Sequence, residues 1–280
     1  MYNSLTYGTV IKELRTNRFL SQGELAEDIC SQGMLSRIEN NDVVPNVLVM
    51  QKLCERLNVS VNYVLTREEI SKAPANNWLE LLRQYKHSKK ITELTETIDE
   101  IEKQDKTLFK TKLELQEYAY YKGCALSYLN PNSAEALTVL QDGLNYTYNR
   151  KKTYVTDLEV MLLSEIGSVY YNQGKFELGL SFMKRSIAQF YNDINKREKV
   201  DLIKVFYNIS ASFVDLKTYE EALEYIEQGI LWSQKKKSYY RLSDLYMLKG
   251  IVLKDLGRMD EAIEIVEISD TLDKLVDYAS

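Results

Sequence analysis

Apolar residues recur at helical spacing along almost the whole chain, and the spacing divides it into two parts. Near the N-terminus the runs are short. Val10, Ile11 and Leu14 define one amphipathic face, Leu25, Ala26 and Ile29 a second, and Leu35 and Ile38 a third. Pro45 is expected to open a fourth helix with the face Leu48, Leu53 and Leu57, and Ser60 to cap a fifth over Val61 to Leu65. A tight turn at Ile29-Cys30 separates the second helix from the third, which opens at Ser31.

From Trp78 onward the helices lengthen and the pattern repeats. IGSVYYNQGKFELGLSFMKRSI, ISASFVDLKTYEEALEYIEQGI and KGIVLKDLGRMDEAIEIVEIS align with Gly179, Ala222 and Ala262 in one column, 43 and 40 residues apart. Each copy has a small residue (Gly167, Ser210, Gly250), a large one three positions later (Tyr170, Phe213, Leu253), a turn, and then the small-residue column. CALSYLNPNSAEALTVLQDGL supplies an earlier copy through Ala136, and Trp78 to Lys103 a weaker first one. A helix pair cannot bury its apolar face alone, so small residues that let neighbours approach and large ones that fill the gaps point to stacked pairs.

Composition narrows the functional classes. Three prolines in 280 residues suit an almost wholly helical chain. Cys30, Cys54 and Cys124 are odd in number and set among apolar residues, as expected of reduced, buried thiols. His87 is the only histidine, which leaves little for a histidine dyad or a multi-histidine metal site. With no Gly-rich phosphate loop, metal-ligand cluster or nucleophile–base pairing, an enzyme is not expected, and no cofactor. No apolar run reaches membrane-spanning length and no basic-then-apolar leader is seen, so a soluble cytoplasmic protein without membrane association is expected. The net charge is −5, and residues 1–66 carry six basic side chains (Lys12, Arg15, Arg18, Arg37, Lys52, Arg56) against seven acidic ones, so a nucleic-acid contact here relies on a few placed groups rather than a basic field.

ELRTNRFLSQGELAEDI, MLSRIENNDVVP and LCERLNVSVNYVL resemble the lambda-repressor/Cro-like DNA-binding domain over about 60 residues. Asn41 stands where that family has glycine after its third helix, a mild departure because Asn tolerates the left-handed conformation. The resemblance implies a helix-turn-helix whose third helix lies in the major groove. By position Gln32, Gly33 and Met34 face bases, with Arg37 a further contact, Gln22 and Ser36 on phosphates, and Ser31, where that helix opens, also among the DNA-binding residues. It also pairs Arg15 with Glu39 in a structural role.

The later copies resemble the tetratricopeptide repeat, stretched beyond its usual ~34 residues. The domain order, length and strings such as ICSQGMLSRIE and FYNISASF resemble the RNPP family of Gram-positive peptide-pheromone receptors, by size its PlcR-like members. The fold so implied is all-α: a five-helix helix-turn-helix domain (1–66), a linker (67–77) containing Pro74, and a right-handed superhelix of tetratricopeptide-like pairs (78–280). The function implied is a quorum-sensing transcriptional activator, a homodimer on palindromic promoter DNA controlled by a short linear signalling peptide. In that family inner-helix asparagines bond the peptide backbone, a place held here by Asn208. Ser164 and Ser168 stand at the comparable positions of the preceding repeat where asparagine is usual, and Lys204, Tyr171 and Tyr246 are further inner-wall candidates. The remaining tyrosines are expected to pack, and Lys235 to Lys237 to form a solvated loop. An Rgg-type regulator or a repeat adaptor that uses its N-terminal domain for dimerisation are the alternatives.

Overall fold

The computed structural model describes residues 7–65, 74–104, 108–149, 151–152 and 154–279, and among these all regular structure is helical. The chain divides into two compact units, residues 1–81 and 82–280.

The first unit contains α1 (Tyr7–Asn17), α2 (Gln22–Ala26), α3 (Gln32–Glu39), α4 (Val47–Arg56) and α5 (61–65). The starts of α2, α3, α4 and α5 each have a side-chain acceptor for an otherwise orphaned N–H. Ser21 Oγ accepts from Glu24 N while Glu24 accepts from Ser21 N; Ser31 accepts from Met34, Asn46 from Val49 and Ser60 from Tyr63. The fourth helix is therefore capped by Asn46 and starts at Val47, two residues after Pro45. Val10, Ile11, Leu14, Leu25, Leu35, Ile38, Leu53, Leu57 and Val64 form one core. Leu48, expected on its buried face, is instead 70% exposed, because the buried face is Met50, Leu53, Cys54 and Leu57 at i, i+3, i+4 and i+7 spacing, and a residue two positions before Met50 lies on the opposite side. Asn41 takes a φ of +63°, and its Oδ1 accepts the Gly8 N–H at 3.1 Å. A Cβ on Gly8 would lie 2.1 Å from the Ile38 carbonyl oxygen, so α1 can reach the end of α3 only with glycine there.

Next come α6 (Pro74–His87), α7 (Ile91–Lys103), α8 (Lys112–Leu129), α9 (Ala134–Asn145), α10 (Asp157–Asn172), α11 (Phe176–Asn192), α12 (Ile203–Asp215), α13 (Tyr219–Lys236), α14 (Leu242–Asp255) and α15 (Met259–Ala279). Helix α6 begins with Pro74 at its first position, where the missing N–H costs nothing; residues 67–73 of the expected linker lie outside the described residues. The pairs α8/α9, α10/α11, α12/α13 and α14/α15 pack as the small-residue columns require. A Cβ on Gly167 would lie 2.8 Å from the Gly179 carbonyl oxygen, and one on Gly179 2.7 Å from that of Gly167, so α10 and α11 cross backbone to backbone. Ala136, Ser210, Ala222 and Ala262 are buried at the equivalent crossings.

A feature the repeat pattern does not announce lies between α11 and α12, where residues 193–202 form two short 3₁₀ turns. They fold around Arg197, whose side chain is fully buried. Its guanidinium donates to the carbonyls of Val155, Gln189 and Phe190 and pairs with Asp157 at 3.1 Å, while Asp157 also accepts from the Glu198 and Lys199 N–H groups. Every donor and lone pair used has a partner, which a buried charge requires. Lys235 and Lys236 belong to the last turn of α13 rather than to a loop, with Lys237 in the left-handed conformation behind them. Lys236 Nζ donates to the Arg197 carbonyl at 2.6 Å, so this member of the basic run completes the anchor, while Lys235 and Lys237 are exposed.

Candidate nucleic-acid interface and inner-wall site

In the first unit the candidate reading surface is fixed from beneath by an ion pair. Arg15 Nε and Nη2 meet Glu39 Oε1 and Oε2 at 2.6 and 3.0 Å, and both side chains are buried. Glu39 Oε2 also accepts from Gln22 Nε2 at 2.8 Å, and Gln22 Oε1 accepts from Gln32 Nε2 at 2.7 Å. One unbroken chain of hydrogen bonds thus runs from the core to the exposed first turn of α3 and sets the angle between α2 and α3. Glu39 raises the pKa of Arg15 through its hydrogen bonds, against the opposing effect of burial.

Ser31, Gln32, Gly33 and Arg37 are exposed, Gln22 and Ser36 half-buried. Nothing lies within 4 Å of where a Gly33 Cβ would be. Met34 is different: it packs partly against the domain core, so much of its side chain serves folding. Of the basic residues, Arg56 is committed to the carbonyls of Glu24, Leu25 and Glu27 behind α2, and Arg18 donates to the Leu14 carbonyl. Among the described residues of this unit, Lys12, Arg37 and Lys52 are, besides Arg18, exposed cations that could reach phosphates.

In the second unit α10 and α12, the first helices of two successive pairs, share a buried polar cluster. In stacked helix pairs such helices line the concave side. Lys204 and Glu165, both buried, pair at 2.7 Å. Asn208 Nδ2 donates to Ser164 Oγ at 3.1 Å and approaches Glu165 Oε2 at 3.5 Å, and Ser127 donates to Glu165 Oε1. Burial alone pushes the Glu165 pKa up, but Lys204, Lys86 and the Asn208 amide outweigh it and hold the carboxyl below its ordinary value. The same pairing raises Lys204 despite its burial. Cys124, fully buried beside this pair, has its thiol pushed up to about 11, first by burial and then by Glu165.

Asn208, Ser164 and Lys204 therefore come together as one cluster. Ser168 and Tyr246 are half-buried on α10 and α14. Tyr171 does not face a groove: its hydroxyl donates to Asp215 at 2.8 Å and to the Ser212 carbonyl, and its ring packs on Phe176, so it fastens α10 to the end of α12. The structure adds residues that the repeat pattern did not mark. Arg241, with a φ of +52°, pairs with Asp244 at 3.0 Å, donates to the Tyr128 hydroxyl at 2.6 Å and lies 5.5 Å over the Tyr207 ring. Lys86 lies 4.9 Å over the Tyr120 ring, and His87 stacks on Tyr240 at 4.1 Å with planes 13° apart. Asp201 faces both Lys86 and His87, at 3.9 and 3.8 Å. Partners so far apart in the chain leave no local sequence signal; His87 alone, as the single histidine, was conspicuous.

Among the described residues no helix is long and apolar enough to cross a membrane, and no three or more His, Cys, Asp or Glu side chains are grouped to hold a metal ion.

Comparison with known proteins agrees with both units. Residues 11–64 match a helix-turn-helix family, and residues 203–236 and 243–274 match a tetratricopeptide repeat family. The chain is 22% identical over 256 residues to the transcriptional activator NprA of Geobacillus stearothermophilus; the match covers 90% of this chain and 59% of that protein. The fold superposes on Bacillus thuringiensis PlcR in complex with the peptide PapR7 and DNA with a TM-score of 0.76, at 19% identity and 98% coverage of each chain. ComR from S. thermophilus, in complex with DNA and its signalling peptide ComS, gives a TM-score of 0.59 at 15% identity, covering 97% of this chain and 94% of that one. The chain is a helix-turn-helix domain joined to tetratricopeptide repeats, on the fold shared by PlcR and ComR.

Proposed function

We propose that this protein is a cytoplasmic transcriptional regulator of the RNPP type, a homodimer that activates promoters through palindromic sites under control of a short peptide bound on the inner wall of its repeats. The observation that carries the reading is the hydrogen-bond chain Arg15–Glu39–Gln22–Gln32, which holds the start of α3 in a fixed pose while leaving Gln32, Gly33 and Arg37 exposed. A pre-set helix with an exposed glutamine amide matches the donor and acceptor pair of an adenine edge. The second support is the Lys204, Glu165, Asn208 and Ser164 cluster, which offers amide and hydroxyl groups of the kind that bond an extended peptide backbone. The likeness to NprA, PlcR and ComR, one called a transcriptional activator and two solved with DNA and a peptide, points the same way.

Recovery of genomic DNA on the purified protein, with and without a peptide extract of its own culture, tests the proposal. A palindromic motif whose recovery changes with the extract is the expected result. A motif indifferent to the extract removes the peptide, and no motif at all removes the DNA-reading role in favour of an adaptor.

A further inference from the structure

The inner-wall groups are covered by the chain itself. Ser164, Glu165, Lys204 and Asn208 are each less than a tenth exposed. Against them stands the end of the first helix of the array, with three side chains that reach far along the sequence. Lys86 lies over Tyr120 and faces Asp201, His87 faces Asp201 and stacks on Tyr240, and just beyond the helix Lys89, with a φ of +56°, pairs with Asp244 at 2.9 Å across 155 residues of chain. Asp201 precedes α12 and Asp244 lies in the first turn of α14, so residues 86–89 bind the entrances of two later pairs at once.

We propose that Lys86, His87 and Lys89 form a clasp that closes the repeat stack over its inner wall, and that a ligand reaches Lys204 and Asn208 only when this clasp opens. The inference builds on the reading of that wall as a ligand site, yet the clasp itself can be measured without ligand or DNA. Its outer contacts are of a kind that opens readily. His87 and Lys89 are about half exposed, and an ion pair of that exposure, such as Lys89–Asp244, holds weakly and weakens further in salt. The contacts beneath are fully desolvated and self-satisfied, so the wall is stable while covered. A closed state whose outer contacts at His87 and Lys89 are exposed, with Lys86 alone buried beneath them, is suited to an opening equilibrium that starts at the rim.

Cys124 provides a native reporter, because its thiol is fully buried next to Glu165, Lys204 and Lys86. Alkylation by N-ethylmaleimide is followed residue by residue by mass spectrometry on the full chain, with Cys54 in the first unit as internal reference. In His87→Ala/Lys89→Glu, which removes the stack and sets like charges opposite Asp244, Cys124 is expected to react faster by about tenfold or more. Helix content should be unchanged, and 0.5 M salt should accelerate the wild type but not the double variant. Arg258→Gln, which breaks the exposed Arg258–Glu261 pair elsewhere, should leave the Cys124 rate as it was. Equal Cys124 rates in wild type and double variant overturn the clasp, as does acceleration that accompanies loss of helix content. The extract-dependent DNA recovery is a separate readout, so the regulator reading can fail while the clasp stands, and the reverse.

Discussion

Gln32 Nε2 donates to Gln22 Oε1 across 2.7 Å, joining the exposed starts of α2 and α3. Gln22 is held in turn by Glu39, so removing it frees Gln32 and takes one donor from Glu39 while leaving the Arg15–Glu39 pair in place. Gln22→Ala is expected to weaken binding to the recovered DNA motif and to blur discrimination at one position, by about 1–3 kcal/mol. Fluorescence anisotropy against single-base variants of the motif checks this; unchanged discrimination would place the Gln22–Gln32 pair outside the interface.

The ion pair beneath it makes a different prediction. Glu39→Ala leaves the buried Arg15 guanidinium unpaired and deprives Gln22 of its acceptor. The first unit should lose about 3–5 kcal/mol, the usual consequence of breaking a buried pair from one side. Urea unfolding followed by circular dichroism on the full chain should show an early transition absent from the wild type.

Gly33 has open space around it and sits in the first turn of α3. Gly33→Ala should therefore stabilise the domain by up to about 1 kcal/mol through helix propensity alone. A loss of stability would mean that glycine is needed there for the backbone.

In the repeats, Gly167→Ala sets a methyl group 2.7 Å from Met183 Cγ and 2.8 Å from the Gly179 carbonyl oxygen. The second contact is with backbone and cannot be relieved by a rotamer change, so α10 and α11 must move apart. A cost of about 1–3 kcal/mol is expected, read from the denaturant midpoint of the second unit.

Acid should unlock the wall through Asp201. Burial raises its pKa, but His87, Lys86 and Lys199 outweigh this and hold it at about 2. A carboxyl depressed in the folded state contributes stability that is fully present above its unfolded value, near 4, and lost as the pH falls toward about 2. A difference of this size corresponds to about 2 kcal/mol. Asp201→Asn should flatten that part of the stability profile between pH 5 and 2; an unchanged slope would assign the acid sensitivity to other carboxyls.

What could be read before the fold was known follows from the range of each interaction. Caps at Ser21, Ser31 and Ser60, the left-handed Asn41 and the small-residue columns all express contacts within a turn or within one repeat period, so spacing reveals them. The misread positions depended on the phase of a short helix or on distant partners. Leu48 is exposed because it falls opposite the Met50, Leu53, Cys54 and Leu57 face, and Tyr171 is spent on Asp215 some 44 residues away. Lys236 reads as surface until Arg197 supplies a carbonyl for it. In the candidate sites, Gln22 and Gln32 follow from the helix-turn-helix pattern, whereas Glu165, Asp201 and Arg241 emerge only when successive repeats are brought side by side.

The Arg197 anchor has a mechanical consequence. Its guanidinium takes carbonyls from the loop before α10 and from the end of α11, and its own carbonyl is taken by the end of α13. Two consecutive helix pairs, α10/α11 and α12/α13, lean on this one residue, so twisting either of them alone breaks charge-assisted bonds in a dry interior. The middle of the array behaves as a stiff keystone, and strain applied at one end is transmitted past it rather than absorbed.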